Sequence, residues 1–70
     1  MSLTRSEKGV LKLMAQGLKA RAIAKKLALS TSTVRHHQTN MYRKLGVSGA
    51  PEAVAAGIFE GYINEDDWVR

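Results

Sequence analysis

Four side chains within nine residues carry the most informative chemistry in this sequence: Arg35, His36, Thr39 and Arg43. An arginine guanidinium bonds bidentately to guanine O6 and N7 in the DNA major groove, and a threonine touches a base edge or a thymine methyl. Arg35 and Thr39 are four apart, so on a helix they project from adjacent turns of one side. His36 lies next to them and donates to a base or a phosphate. Arg35, His36 and Thr39 are therefore the candidate base-reading residues. Ser30, Thr31, Ser32 and Thr33 gather just ahead of them, where free N–H groups and the helix dipole favour a phosphate. Arg43 and Lys44 reach phosphates from the far end, and His37 sits at the core edge or touches a phosphate. Ser30, Thr31, Thr33, His37, Arg43 and Lys44 are the candidate phosphate contacts. The bland alternative for each is a capping hydroxyl or a solvated charge. Arg35 resists it best, as the sole charge centred on the outward face of its helix's first half.

The element that presents these groups must be a helix. At about 100° per residue, Val34, Met41 and Leu45 fall on one line with Gln38 beside it, while Arg35, His36, Thr39 and Arg43 gather opposite. The spacing predicts this helix over 31–45, capped by Ser30 or Thr31 and closed by Gly46-Val47. A shorter amphipathic helix over 20–27 precedes it, burying Ile23, Ala24 and Leu27. The three-residue turn Ala28-Leu29-Ser30 joins the two, with Leu29 expected to plug the angle between them. Two helices linked by a turn of 3–4 residues form a helix-turn-helix, whose second helix enters the major groove.

Two further helices complete an all-α domain. Thr4-Arg5-Ser6-Glu7 fits a capping box that opens a helix over 4–16, with Val10, Leu11 and Met14 on its buried stripe and Gly17-Leu18 at its end. Pro51 suits the first position of a fourth helix over 51–60. That helix is apolar or small on nearly every side, so it is either central in the monomer or presents a stripe to another molecule. Its small residues would let two copies approach closely. The domain spans 1–63; beyond it lies an acidic tail over 64–70, part of a polar, acidic stretch expected to fray from Tyr62 onward, in which Trp68 covers a patch.

Charge follows the same division. Residues 1–45 hold ten Lys/Arg against Glu7 alone, a net +9, whereas residues 46–70 hold Arg70 against five acidic residues, a net −4. A polyanion-binding face requires such asymmetry, because most affinity for nucleic acid comes from neutralised phosphates.

Composition removes other classes. Seventy residues make one small domain, and 44% hydrophobic with 24% charged describes a globular chain. Without cysteine there is no disulfide framework or thiolate metal site, and a reducing cytoplasm is the expected setting. His36 and His37 point about 100° apart on a helix and cannot share one ion, so no metal is expected. No cofactor is expected either. The longest apolar run, 53–59, is too short for a bilayer, and 1–5 lacks a signal-peptide pattern. Met1-Ser2 reads as a cloning remnant ahead of an excised domain. With no glycine-rich phosphate loop, paired carboxylates or nucleophile–His–acid set, no catalytic residue is assigned and the chain is not expected to be an enzyme.

With these residues in place, the chain resembles the LuxR-type (GerE-like) DNA-binding domain found at the end of bacterial two-component response regulators and quorum-sensing activators. The resemblance covers 3–63. It is carried by Leu3-Thr4, Val10-Leu11, Leu13, Ala15-Gln16-Gly17, Ile23-Ala24, Leu27, Ser30, Thr33-Val34, His37, Asn40, Lys44-Leu45-Gly46-Val47 and Glu52-Ala53-Val54. It implies a four-helix domain whose third helix reads double-stranded DNA at Arg35, His36 and Thr39, with Thr33, His37 and Lys44 on the phosphate side. It also implies a homodimer paired through the fourth helix, here Val54, Ala55, Ile58 and Phe59. Control by an N-terminal receiver or ligand-binding domain and a further contact with RNA polymerase follow from the same likeness. Ala22 stands where the family usually has Glu, and Gly49-Ala50-Pro51 replaces a more polar lead into the fourth helix. His36 and Thr39 differ from common family residues, so no target sequence transfers. The competing readings are a sigma-factor-like promoter-recognition domain and a protein-interaction module on the same fold. A fourth helix suited to self-association argues against the first, and Arg35 against the second. A membrane-surface helix would want bulky aromatics beside its charges, and the third helix offers only Tyr42.

Overall fold

Thr4 opens the chain's first helix through its capping box: the Glu7 backbone N–H donates to Thr4 Oγ1 (3.1 Å) while Thr4 N–H donates to Glu7 Oε1 (2.8 Å). The computed structural model describes residues 2–67. These form α1 (Arg5–Ala15), α2 (Ala20–Leu27), α3 (Thr31–Leu45) and α4 (Ala50–Glu60), then a 3₁₀ turn at Glu65–Asp67, with no strand among the described residues. All four expected helices are present, their ends shifted by a residue at most. Pro51 takes the second helical position because Gly49, in extended backbone, is the cap.

All four α-helices close the same way. A residue in left-handed backbone follows each one, directly after α2, α3 and α4 and one residue further on, at Gly17, after α1, and the next residue's N–H reaches five residues back: Leu18 to Leu13 O (3.2 Å), Leu29 to Ala24 O (2.8 Å), Val47 to Tyr42 O (3.0 Å) and Tyr62 to Gly57 O (2.8 Å). These bonds satisfy carbonyls that a helix end leaves without partners. Three of the left-handed positions are glycine; the fourth is Ala28, at φ 57°.

The core lies where the four helices meet. Val10, Leu11, Ile23, Val34, Met41 and Ala53 are fully buried, joined by Leu13, Met14, Ala24 and Ile63. Ile23 and Ala24 bury as expected, but Leu27 and Leu29 are each 38% exposed. The left-handed turn at Ala28 carries the chain outward there, so Leu29 does not plug the angle between α2 and α3. Leu18, half-buried against the core after the first helix's turn, occupies the analogous position.

Two small residues of α4 face inward. Ala53 and Gly57 are buried, and a Cβ at Gly57 would come within 2.8 Å of Leu11 Cδ2 and 2.7 Å of Ile63 Cδ1. Close approach at Gly57 therefore serves Leu11 of α1 and Ile63 of the same chain. The bulky residues of α4 point out, Ile58 48% and Phe59 90% exposed.

The segment after α4 does not fray over 62–67. Ile63 is buried, Lys8 Nζ stands 5.7 Å from the Tyr62 ring centroid, and Lys12 Nζ lies 3.9 Å from Asp67 Oδ1. Asn64 and Asp67 close the 3₁₀ turn, Asn64 N–H donating to Asp67 Oδ2 (2.9 Å). Apolar anchoring by Ile63 and basic side chains on α1 outweigh the polar composition that suggested a loose end. The patch expected for Trp68 lies outside the described residues.

Candidate nucleic-acid interface

The buried stripe of α3, Val34 and Met41, fixes which face looks outward. Arg35, His36, Thr39 and Arg43 are all exposed on the opposite side. Thr39 Oγ1 donates to the carbonyl of Arg35 (3.0 Å), and Asn40 Nδ2 lies 3.2 Å from His36 Nε2. His36 and His37 diverge, their ring centroids 6.4 Å apart and tilted by 53°. His37 and Gln38 are half-buried at the flank.

Ser30 is the cap of α3. Its Oγ accepts from Thr33 N–H (3.1 Å), donates to Thr33 Oγ1 (2.8 Å) and lies 3.2 Å from Ser32 Oγ. The hydroxyl cluster is thus a hydrogen-bonded unit wrapped on the helix N-terminus. Thr31 and Thr33 are half-buried and Ser30 and Ser32 exposed.

Lys44 is placed differently from the other cations. Its Nζ donates to Glu7 Oε1 at 2.9 Å, with the Lys44 side chain 20% and the Glu7 side chain 4% exposed. Burial raises the pKa of the Glu7 carboxyl, but the Lys44 hydrogen bond, the Thr4 hydrogen bonds and the Lys44 charge together carry it below the usual carboxylate value. Lys44, expected at a phosphate, therefore has its ammonium on a carboxylate of its own chain. Burial also raises the Tyr42 phenol.

The basic block of 1–45 divides accordingly. Lys12 and Lys44 hold the ion pairs of the described residues, and Lys8 stands over Tyr62. Arg5 on α1 is exposed, as are Lys19, Arg21, Lys25, Lys26, Arg35 and Arg43, and none of these enters an ion pair among the described residues. The last six lie between the cap of α2 at Lys19 and the end of α3. The sequence placed the cations correctly but did not show which were neutralised, since the pairing of residues 7 and 44 joins positions with no spacing signal between them. The four-residue spacing could have supplied two polar relations on this face, Asn40 with His36 and Thr39 with the Arg35 carbonyl.

On the expected pairing stripe, Ala55, Ile58 and Phe59 are exposed, while Val54 is half-buried against the domain's own core. No helix among the described residues is long and apolar enough to cross a membrane.

Comparison with known proteins agrees with this architecture. The family model described as bacterial regulatory proteins, luxR family, matches residues 1–56. The chain is 42% identical over 65 residues to the transcriptional regulatory protein YdfI of Bacillus subtilis, covering 93% of this chain and 30% of that protein. It is 42% identical over 60 residues to UhpA of Escherichia coli K12, covering 86% of this chain and 30% of UhpA. To the B. subtilis spore germination protein GerE it is 42% identical over 52 residues, 74% of this chain and 70% of that protein. The solved structure of the transcription factor GerE superposes with a TM-score of 0.83 at 32% identity, covering 91% of this chain and 97% of that one. The chain thus spans about a third of the length of YdfI and UhpA but most of GerE. With matched family residues across most of its length and the GerE fold throughout, this chain belongs to the luxR family of bacterial regulatory proteins as its helix-turn-helix domain.

Proposed function

We propose that this chain binds specific double-stranded DNA sequences for transcription regulation, with α3 lying in the major groove. The observation that carries the reading is the outward face of α3: Arg35, exposed and outside any ion pair of the described residues, held opposite a fully buried Val34–Met41 stripe. Arg35, His36 and Thr39 meet base edges. Ser30, Thr31, Thr33, His37 and Arg43 meet phosphates, and the exposed cations of α2 extend that contact. Ala55, Ile58 and Phe59, with Val54 at their edge, pair two copies so that their third helices enter major-groove faces about one turn apart. A signal-receiving domain N-terminal to this one controls the pairing, RNA polymerase is the further partner, and the setting is the bacterial cytoplasm. No substrate turnover forms part of this reading.

The test is titration of labelled duplexes at several salt concentrations. Arg35→Ala should flatten the preference among DNA sequences, by about 1–3 kcal/mol of lost discrimination, while leaving nonspecific binding largely in place. Equal loss on every sequence would remove Arg35 from base reading. Failure of random-sequence selection to enrich any motif would favour a protein-interaction module.

A further inference from the structure

A threonine on a recognition helix has two chemically distinct ends, and the fold has already used one of them. Thr39 Oγ1 donates its proton to the Arg35 carbonyl one turn back, at 3.0 Å. Such back-bonding is an established habit of threonine in helices and fixes χ1, because the hydroxyl is held along the helix toward the preceding turn. Of the two groups on the β-carbon, the hydroxyl is then committed to the backbone and the γ-methyl is left to the exposed surface of residue 39. A hydroxyl engaged in this way has no proton to offer a purine acceptor, so donating to a base would first have to break the bond to Arg35, and only its oxygen lone pairs are left to meet a base amine. A methyl needs no such rearrangement.

The major groove displays one apolar group that matches it, the C5-methyl of thymine. We infer that Thr39 is a thymine-methyl reader, so that the half-site recognised by α3 contains a thymine within two base pairs of the one read by Arg35. This rests on the reading that α3 enters the major groove. Residues 35 and 39 are separated by about 6 Å of helix rise, close to two base-pair steps of about 3.4 Å. The thymine therefore lies within two base pairs of the Arg35 guanine. His36 and Asn40 do not compete for this position, since each engages the other on the neighbouring flank.

The test separates methyl from hydroxyl on both molecules. The 70-residue chain is first used to select a binding sequence from random duplex DNA. Each thymine of the selected site is then replaced by deoxyuridine, which lacks only the C5-methyl, and affinities are compared for the wild-type chain, Thr39→Val and Thr39→Ser. Valine keeps the shape and the methyl without the hydroxyl; serine keeps the hydroxyl and its backbone bond without the methyl. One thymine should be sensitive, its replacement weakening wild type and Thr39→Val about fourfold, the effect of one buried methyl group. Thr39→Ser should bind thymine and deoxyuridine equally at that position. The inference is overturned if Thr39→Val loses the preference while Thr39→Ser keeps it, or if no thymine is sensitive although a motif is selected. If no motif is selected, the groove reading falls and takes the inference with it. Circular dichroism melts of the two variants, both altered at an exposed site, should match wild type.

Discussion

Lys44 Nζ and Glu7 Oε1 lie 2.9 Å apart across 37 residues of sequence, tying the last turn of α3 to the first turn of α1. The same Glu7 oxygen accepts the Thr4 N–H, so one carboxylate both caps α1 and anchors the proposed DNA-reading helix. Removing either partner should destabilise the fold, but unequally. Lys44→Met leaves a carboxylate 4% exposed without its cation and should lower stability by about 2–3 kcal/mol. Glu7→Gln keeps an oxygen for the Thr4 N–H, and Lys44 retains enough exposure to meet water, so about 1–2 kcal/mol is expected. Urea melts of the two variants decide the order, and a larger loss for Glu7→Gln would refute it.

The same pair sets an acid limit. The folded-state Glu7 carboxyl titrates below the usual carboxylate value. The folded protein thus holds fewer protons there than the unfolded chain, and stability rises with pH across the interval between the two values. The contribution is complete above the unfolded pKa of about 4.3 and disappears as pH falls through the lower folded value. Thermal melts from pH 7 to pH 3 should show the gap between wild type and Glu7→Gln steady down to about pH 5, then closing. A gap of constant size over the whole range would show that Glu7 is not ionically engaged.

Neutralisation of Lys44 also bears on DNA binding. Six exposed cations between residues 19 and 43 lie outside the ion pairs of the described residues, so if the contact is confined to α2 and α3 the dependence of log affinity on log salt should be on the order of −5 per protomer. Arg43→Ala should reduce that slope by about one unit. Removing the Lys44 charge costs stability in this geometry, so Lys44→Met is measured well below its melting temperature, where it should leave the slope nearly unaltered. A full unit lost there would return Lys44 to the phosphate side.

Much of this architecture was legible in the residues because short-range rules govern it. The Thr4–Glu7 capping box, Ser30 as a cap and glycines 17 and 46 as helix ends depend on neighbours three to five positions away, and each is found in the structure. The buried stripe of α3 followed from helical period alone. Long-range choices were not legible in the same way. Leu27 and Leu29 look like core residues, yet both are exposed at the end of α2 and in the turn that follows it. In α4 nothing in a uniformly apolar run distinguishes the face that Leu11 and Ile63 demand be small from the face left to Phe59. Lys44 was read as a surface cation because no local pattern points to Glu7.

Ala28 is the one described residue other than glycine with positive φ, 57°. Left-handed backbone crowds the β-carbon of an L-residue by roughly 1–2 kcal/mol, and glycine removes that crowding at some cost in unfolded-chain entropy. Ala28→Gly should therefore raise stability by about 0.5–1 kcal/mol, read as a higher urea midpoint at unchanged slope. The angle between α2 and α3 is set by the same turn, so DNA affinity should stay within twofold. Destabilisation would mean that the turn is not held left-handed in solution.

Phe59 is 90% exposed on a helix whose inward positions are Ala53 and Gly57, an inversion of the usual preference for burying the larger apolar residue. A ring so exposed contributes little to the monomer, so Phe59→Asp should leave the melting temperature within about a degree of wild type. If α4 pairs two copies on DNA, the same change places a carboxylate in each half of an apolar contact and should weaken binding to a duplex carrying two half-sites by at least tenfold. Binding to a duplex with a single half-site should be nearly unaffected, because α3 and its phosphate contacts are untouched. Comparing the two duplexes separates pairing from base reading: equal loss on both would mean that Phe59 acts through the monomer, and no loss on either would leave α4 without the role proposed for it.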